Sequence, residues 1–385
     1  MMRKLLVLCS VSWLLFGCDG GTTPAVDGGV AGDASDGGAP GDGGGERDAP
    51  PIDDAGGALC GGRACGAGHA CVRDVCVATC GADASGWDGA LAPELAVVGS
   101  VCREVDAIAV SGSEAYDVTH TTSGTTTTFT LSRWETGSES PTVHVVGTAR
   151  YEAPSDTVML YGGGYVAVST DGMHAVFGYT TSQVPGYVGG VFDMATGSGT
   201  TIEIEADGNF DATFLDATDY YVNGGIGGVP GVYAGHASGM MLEALVTGLG
   251  DASGSVAFWA DESLLLAGGS SFGRTTWADG STSGARVVVL SETDLASTTA
   301  LAANDLPQLD MPSAFALLSG GRAASVHYDA SFAVDGIEVR TLSVTGGAVS
   351  VSAPAALVTG GDFSGITAAG EGAVLAFDGG LLFVR

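Results

Sequence analysis

Past residue 90 the apolar positions come in short runs rich in Val, Thr, Tyr and Phe, interrupted by Gly, Asp and Ser about every eight to twelve residues. That is the spacing of strands and tight turns. A helical period never takes over, and its nearest approach is Met240 to Val246. The runs repeat as a unit: an apolar run with small residues, a Gly or acidic turn, a second apolar run, a longer loop, then a third strand and often a fourth. The first two strands of successive units are expected at Ala107 to Val118, Tyr165 to Tyr179, Ala212 to Asn223, Val256 to Gly268, Ala314 to Tyr328 and Gly365 to Phe377.

Six units of about 47 residues each have the size of a four-stranded blade. Leu264-Leu265-Leu266 and Arg286-Val287-Val288-Val289-Leu290 are apolar at consecutive positions, which suits sheets covered on both faces by neighbours. The last unit supplies only three strands, Ile366 to Gly370, Ala373 to Asp378 and Leu381 to Val384, and its bare edge needs a partner. The extended segment Glu94 to Val101 is the candidate, and pairing there would join the two ends of the chain into a ring. The expectation is an all-β chain whose residues 91–385 form a six-bladed β-propeller. The long loops Ser270 to Ala285 and Ala302 to Pro312 leave room for a seventh blade.

The first 57 residues have a different character. Met1 to Lys4 are basic, and Leu5 to Phe16 form an apolar run too short to span a bilayer stably, so residues 1–17 read as a signal peptide. The closing Leu15-Phe16-Gly17-Cys18 resembles a bacterial lipobox. The resemblance implies a lipoprotein signal, with Cys18 acylated and left as the new N-terminus on a membrane of the bacterial cell envelope; each buried acyl methylene contributes ~0.8 kcal/mol. Residues 18–57 are Gly, Asp, Ala and Pro with no aromatic residue, and Val26, Val30 and Ile52 are their bulky apolar groups. Such a segment cannot form a core, and its acids make it a disordered, self-repelling tether. Its Asp-Gly-Gly repeats at Asp27, Asp36 and Asp42 lack the EF-hand spacing for calcium.

Six cysteines follow: Cys60, Cys65, Cys71, Cys76, Cys80 and Cys102. An even number after an export signal reads as three disulfides, in any of about 15 pairings, and residues 58–90 read as a small disulfide-rich module. Cys102 lies beyond Trp87, beside the first strand-like segment, and is expected to bond back and staple the module to the next domain. A zinc site with His69 has against it the absence of any Cys-x-x-Cys pair, and no metal is expected there. The run Cys-Gly-Gly-x-x-Cys-x-x-Gly-x-x-Cys between a Gly/Asp tether and a repeat domain resembles the stalks of envelope lipoproteins of the myxobacterial type, which implies location and layout.

Charge narrows the function classes. Formal charge is -31, and removal of residues 1–17 leaves 11 arginines against 44 acids. A nucleic-acid binder needs a basic stripe, and this surface would repel phosphate. Ser169-Thr170-Asp171-Gly172-Met173-His174-Ala175-Val176 resembles the strand-turn-strand of TolB-like propeller repeats, while Leu264 to Gly269 and Tyr221 to Gly225 look like the glycine pair of kelch repeats. Gly269-Ser270-Ser271-Phe272-Gly273 has the Gly-x-Ser-x-Gly form but no helix to complete a nucleophile elbow. His120, His144, His174, His236 and His327 fall in different units without metal spacing.

The constellation with functional promise is positional. The turn between first and second strands carries Glu114, Asp171, Asp219, Asp261 with Glu262, and Glu371, whereas one unit has Gly320-Gly321-Arg322. On a propeller these turns share a face, where their carboxylates would make a negative rim able to hold calcium or attract a basic partner. No other cofactor is expected. Trp134, Trp259 and Trp277 are candidate anchors for a protein or glycan partner, with core packing as the competing role. The sequence thus points to an envelope lipoprotein presenting a binding scaffold, with a channel-centred hydrolase or glycan-active enzyme as the alternative.

Overall fold

The computed structural model describes residues 60–136, 142–155, 160–182, 186–204, 206–226, 229–247, 255–269, 275–276, 282–283, 286–291, 304–306, 315–329 and 333–385. The segments expected to be a signal peptide and a tether, with Cys18, Ser271 and Trp277, lie outside the described residues.

The chain is all-β with a β-propeller-like arrangement of antiparallel meanders. The first meander is Ala107–Ser111, Glu114–Ser123, Thr126–Glu135 and His144–Glu152. The second is Leu160–Val168, His174–Thr181, Tyr187–Asp193 and Ser198–Ile204. The third is Ala206–Phe214, Asp219–Ile226, Val229–His236 and Gly239–Thr247. The fourth is Val256–Trp259, Leu264–Gly269, Arg286–Ser291 and Asn304–Leu306. The fifth is Phe315–Leu318, Arg322–Tyr328, Val334–Thr345 and Ala355–Thr359. The last contributes Phe363–Ala369, Gly372–Phe377 and Gly380–Val384.

The expected closure is present. Val97–Val101 pairs antiparallel with Gly380–Val384, Leu382 opposite Ser100, so the last sheet takes its fourth strand from ahead of the first meander. The leading strands of successive meanders lie side by side, and Phe363–Ala369 returns to touch Ala107–Ser111. Each neighbouring pair shares a buried apolar layer. Phe129 and Leu131 meet Phe177 and Phe192 across the first seam, and Phe383 meets Trp134 across the last. The consecutive apolar strands owe their composition to this: Leu265, Leu266, Val289 and Leu290 are all buried, Leu265 and Leu290 against the third meander and Leu266 and Val289 against the fifth. Glycine permits the closest approaches. A Cβ on Gly178 would run into the Tyr187 hydroxyl and the Tyr165 ring.

Exposed outer edges are dealt with one by one, as strand edges must be. The outer strands of the first two meanders meet in parallel at Ser198 and Thr148, reinforced by Thr148 N–H to Gly197 O at 3.2 Å and Thr201 Oγ1 to Arg150 O at 2.6 Å. The hairpin Ala348–Val351 at the far end of Val334–Thr345 reaches the outer strand Asn304–Leu306. Leu91 bridges Val358, and Ala92 N–H donates to Leu357 O at 2.9 Å, covering the fifth meander.

The cysteine module covers the closing strand. Its hairpin, His69–Val72 with Val75–Ala78, lies beside Val97–Val101, and Ser100 Oγ donates to Ala78 O at 3.1 Å. The disulfides are Cys60–Cys71, Cys65–Cys76 and Cys80–Cys102, the last bonding back across the closing strand as expected. Trp87 is buried with its ring centroid 5.2 Å from Phe363 and 4.6 Å from Phe377, so the module shares the apolar layer between the fifth and last meanders.

Candidate functional site

Residues with unusual electrostatics gather along the inner seams of the first three meanders. Asp106, on the lead-in to the first strand, accepts from His120 Nδ1 at 2.7 Å and from the Tyr179 hydroxyl at 3.2 Å. His120 sits on the second strand of the first meander and Tyr179 on the second strand of the second, so Asp106 is a shared acceptor across the seam. The Asp106 hydrogen bond raises the His120 pKa above the ordinary 6.5, while partial burial acts in the opposite direction. Both His120 and Asp106 side chains keep 26% of their surface exposed, enough for proton exchange with water.

Behind them lies a buried ion pair. Arg103 donates to Asp117 through Nε at 2.6 Å and Nη2 at 2.7 Å, and Trp134 Nε1 donates to the same carboxylate at 2.6 Å. The Asp117 side chain is wholly buried. Such forked, charge-assisted bonds fix orientation as well as energy.

The polar series continues inward. The Tyr165 and Tyr187 rings stack with centroids 6.1 Å apart; burial drives both hydroxyl pKa values well above 10, and the negative charge of Asp211 adds to each. Asp211, on the leading strand of the third meander, accepts from Val256 N–H at 3.0 Å and Ala212 N–H at 2.8 Å. Ser255 also bonds to Asp211, and Ser255 Oγ accepts from Phe315 N–H at 3.0 Å. This relay ties the third, fourth and fifth meanders together. Burial pushes the Asp211 pKa from 3.8 up to about 6, against the lowering effect of its hydrogen bonds. The enclosed Tyr220 hydroxyl, pushed up to about 12 by burial, has no hydrogen-bond partner among the described residues.

Because folding raises the Asp211 pKa, the folded state holds this proton more tightly than the unfolded chain. Stability therefore falls as pH rises from about 4 to about 6, and the cost is complete above that. Asp211→Asn removes the charge but keeps an acceptor for one of the two backbone N–H groups, since Ala212 and Val256 bond different carboxylate oxygens, and that fixed loss is the same at every pH. Denaturant unfolding is expected to show the stability of the variant relative to the parent moving in the variant's favour by about 2 kcal/mol between pH 4.5 and pH 7.5. An equal effect at both pH values would contradict the burial cost.

Two pairs of neighbouring turns touch: Thr170 N–H donates to Asp216 O at 3.2 Å, and Ser319 Oγ lies 3.5 Å from Glu371 O. Several of the acids have local work. Glu114 accepts from the Tyr116 hydroxyl at 2.8 Å and faces Arg133 at 3.4 Å. Asp171 accepts from Ser169 Oγ at 2.7 Å and Met173 N–H at 3.0 Å, which hold its carboxyl below the usual range. Asp219 lies 3.7 Å from His236, and the acid that caps its turn is Asp216, bonded to Thr218 and Asp219 N–H. Asp261 and Glu262 are exposed on a short 3₁₀ turn, and Glu371 is exposed. Among the described residues, the group of three close metal-type ligands is Cys60, Cys65 and Cys76, whose sulfurs are spent in disulfides rather than offered as thiolates. Trp134 and Trp259 are buried in the layers between sheets, so they pack rather than offer an anchor.

No family model and no curated protein matches the sequence. Among solved structures, putative TolB from Agrobacterium tumefaciens aligns at TM-score 0.42 and 14% identity over 72% of this chain and 88% of that one. TolB from Acinetobacter baumannii aligns at 0.40 and 16% over 66% and 55%. The β-propeller domain of the Trilobed protease from Pyrococcus furiosus aligns at 0.36 and 9% over 70% and 87%. The fold assignment rests on the strand pairing and the cycle of inner strands.

Proposed function

We propose that the chain is a lipid-anchored protein of the bacterial cell envelope that displays a six-bladed β-propeller as a rigid scaffold for a protein or glycan partner. The observation that carries this reading is the cycle of leading strands, closed by Val97–Val101 and clasped by the disulfide module that follows the Gly/Asp-rich stretch of the sequence. A closed ring of mutually wedged sheets holds its loops in fixed relation, which lowers the entropy cost of recognition. The acyl group on Cys18 supplies the membrane contact, and the rim of Glu114, Asp171, Asp219, Asp261, Glu262 and Glu371 favours a basic partner or a calcium ion over any nucleic acid. Among the described residues no helix is long and apolar enough to cross a membrane.

The test is metabolic labelling with an alkyne fatty acid in a bacterial host. The full chain should take up label and sediment with membranes, and Cys18→Ser should do neither. Label-free protein in the soluble periplasmic fraction would defeat the anchor. Melting in millimolar calcium against chelator tests the rim, and an unchanged midpoint removes the calcium version. The alternative, a channel-centred hydrolase or glycan-active enzyme, draws on Asp211: a carboxyl titrating near pH 6 on an inner strand suits a general acid. Turnover of a glycan or ester panel that Asp211→Asn abolishes without unfolding the chain would favour it.

A further inference from the structure

We propose that the two disulfides of the cysteine module, Cys60–Cys71 and Cys65–Cys76, form an exchange pair that oxidises a dithiol substrate, with Cys71 as the point of entry. Their sulfurs are gathered by backbone that has little freedom to part them. Cys71 and Cys76 stand directly opposite each other on the module's hairpin. Cys60 is pinned by a two-way bridge to Arg63, N–H to O at 2.7 and 3.0 Å. Its neighbour Gly61, at φ +56°, rests so close to the hairpin turn that a Cβ would come within 2.7 Å of Asp74 O. As a result Cys60 Sγ lies within 4.8 Å of both Cys65 Sγ and Cys76 Sγ, the two sulfurs of the other bond. Neither sulfur of Cys80–Cys102 belongs to this group.

Burial is graded across the pair. Cys71 is exposed, Cys65 half-buried, and Cys76 and Cys60 are buried. An incoming thiolate therefore reaches Cys71 Sγ first. Its attack forms a mixed disulfide there, breaks the Cys60–Cys71 bond and leaves the electron pair on Cys60 as a thiolate. Negative charge on an enclosed sulfur is disfavoured, and the neighbouring disulfide offers it an exit at an effective concentration that no free thiol matches. Cys60 attacks Cys76 Sγ: the Cys60–Cys76 bond forms, the Cys65–Cys76 bond breaks, and the electron pair passes to half-buried Cys65, which takes up a proton. The substrate's second thiolate then attacks the substrate sulfur of the mixed disulfide and releases Cys71, which is protonated in turn. The substrate leaves as a disulfide, oxidised by two electrons. The module keeps one bond, between its two most buried sulfurs, and carries thiols at Cys65 and Cys71; the two protons gained there balance the two lost by the substrate. The substrate class is a dithiol, such as a protein with a pair of reduced cysteines. The Cys80–Cys102 staple on the closing strand takes no part.

The experiment treats the folded full chain with one equivalent of dithiothreitol as the dithiol, quenches by alkylation and maps the digest by mass spectrometry. In molecules that keep Cys80–Cys102, alkylation at Cys65 and Cys71 should exceed that at Cys60 by about tenfold or more, with Cys60 and Cys76 joined. Alkylation of both halves of either original bond, with the other bond intact, would overturn the relay. A second measurement needs no reductant. Cys71→Ser takes away the native partner of Cys60, so the purified variant should carry its free thiol on Cys65, with Cys60 bonded to Cys76. A free thiol on Cys60 beside a retained Cys65–Cys76 bond would sink the proposal equally. The dithiothreitol result on the parent decides the matter whether or not that variant folds.

Discussion

Arg103→Ala should destabilise the chain by about 3–5 kcal/mol, because it strips the counter-charge from a carboxylate that has no access to water. Asp117 is enclosed between the first and last meanders' packing and accepts from both arms of the Arg103 fork and from Trp134 Nε1. Without the guanidinium, one indole donor remains for a buried negative charge. The loss is chiefly electrostatic, with some packing lost as well because most of the Arg103 side chain is covered. Arg103→Lys keeps the charge and gives up the two-armed geometry, so it should fall between parent and alanine. Combining Arg103→Met with Asp117→Asn removes both charges, and should recover part of the loss. Denaturant unfolding checks all three. A cost for Arg103→Ala within about 1 kcal/mol would show that Asp117 finds other solvation.

What the sequence revealed and what it hid divide along sequence distance. Strand pairs joined by short turns were readable: the expected span Ala107 to Val118 covers Ala107–Ser111 and the first half of Glu114–Ser123, paired in register, because period-two alternation and a Gly turn act over a few residues, while the second strand runs on to Ser123. The closing strand was readable by counting, since a three-stranded final unit demands a partner. The return of Cys102 was readable from its position, while the Cys60–Cys71 and Cys65–Cys76 pairing was not. The inner polar series escaped entirely. Tyr179 meets Asp106 across 73 residues, and Val256 meets Asp211 across 45, with no spacing rule to link them. In the sequence each is one more strand tyrosine or turn aspartate. His120 likewise reads as filler until Asp106 is placed beside it. The acids that do stand out by position, on the turns, are in several cases occupied as local hydrogen-bond acceptors, which is the ordinary work of aspartate there.

Removal of residues 60–101 should abolish cooperative unfolding of the remaining chain, the largest effect expected here. That segment does three jobs at once. Val97–Val101 supplies the fourth strand of the last sheet; without it Gly380–Val384 becomes a bare edge with five apolar or small residues in a row, all buried in the intact chain. Trp87 fills the space between Phe363 and Phe377, and losing a buried tryptophan alone costs about 3–5 kcal/mol. Arg73, held at positive φ on the hairpin turn, donates to Leu91 O at 2.6 Å, to Ala92 O at 2.8 Å and to Leu95 O, tying the hairpin to the strand that follows. The strand and the clasp can be separated by experiment. Cys80→Ser with Cys102→Ser keeps every residue of the segment and removes the covalent tie over a 22-residue loop, a loss of about 3 kcal/mol in the chain-entropy account, and the melt should stay cooperative at a lower midpoint. Deletion should instead give a broad, probe-dependent transition with dye-binding apolar surface exposed. A sharp melt for the deletion, near that of the parent, would mean that the leading strands alone hold the ring and that the module is an ornament on it.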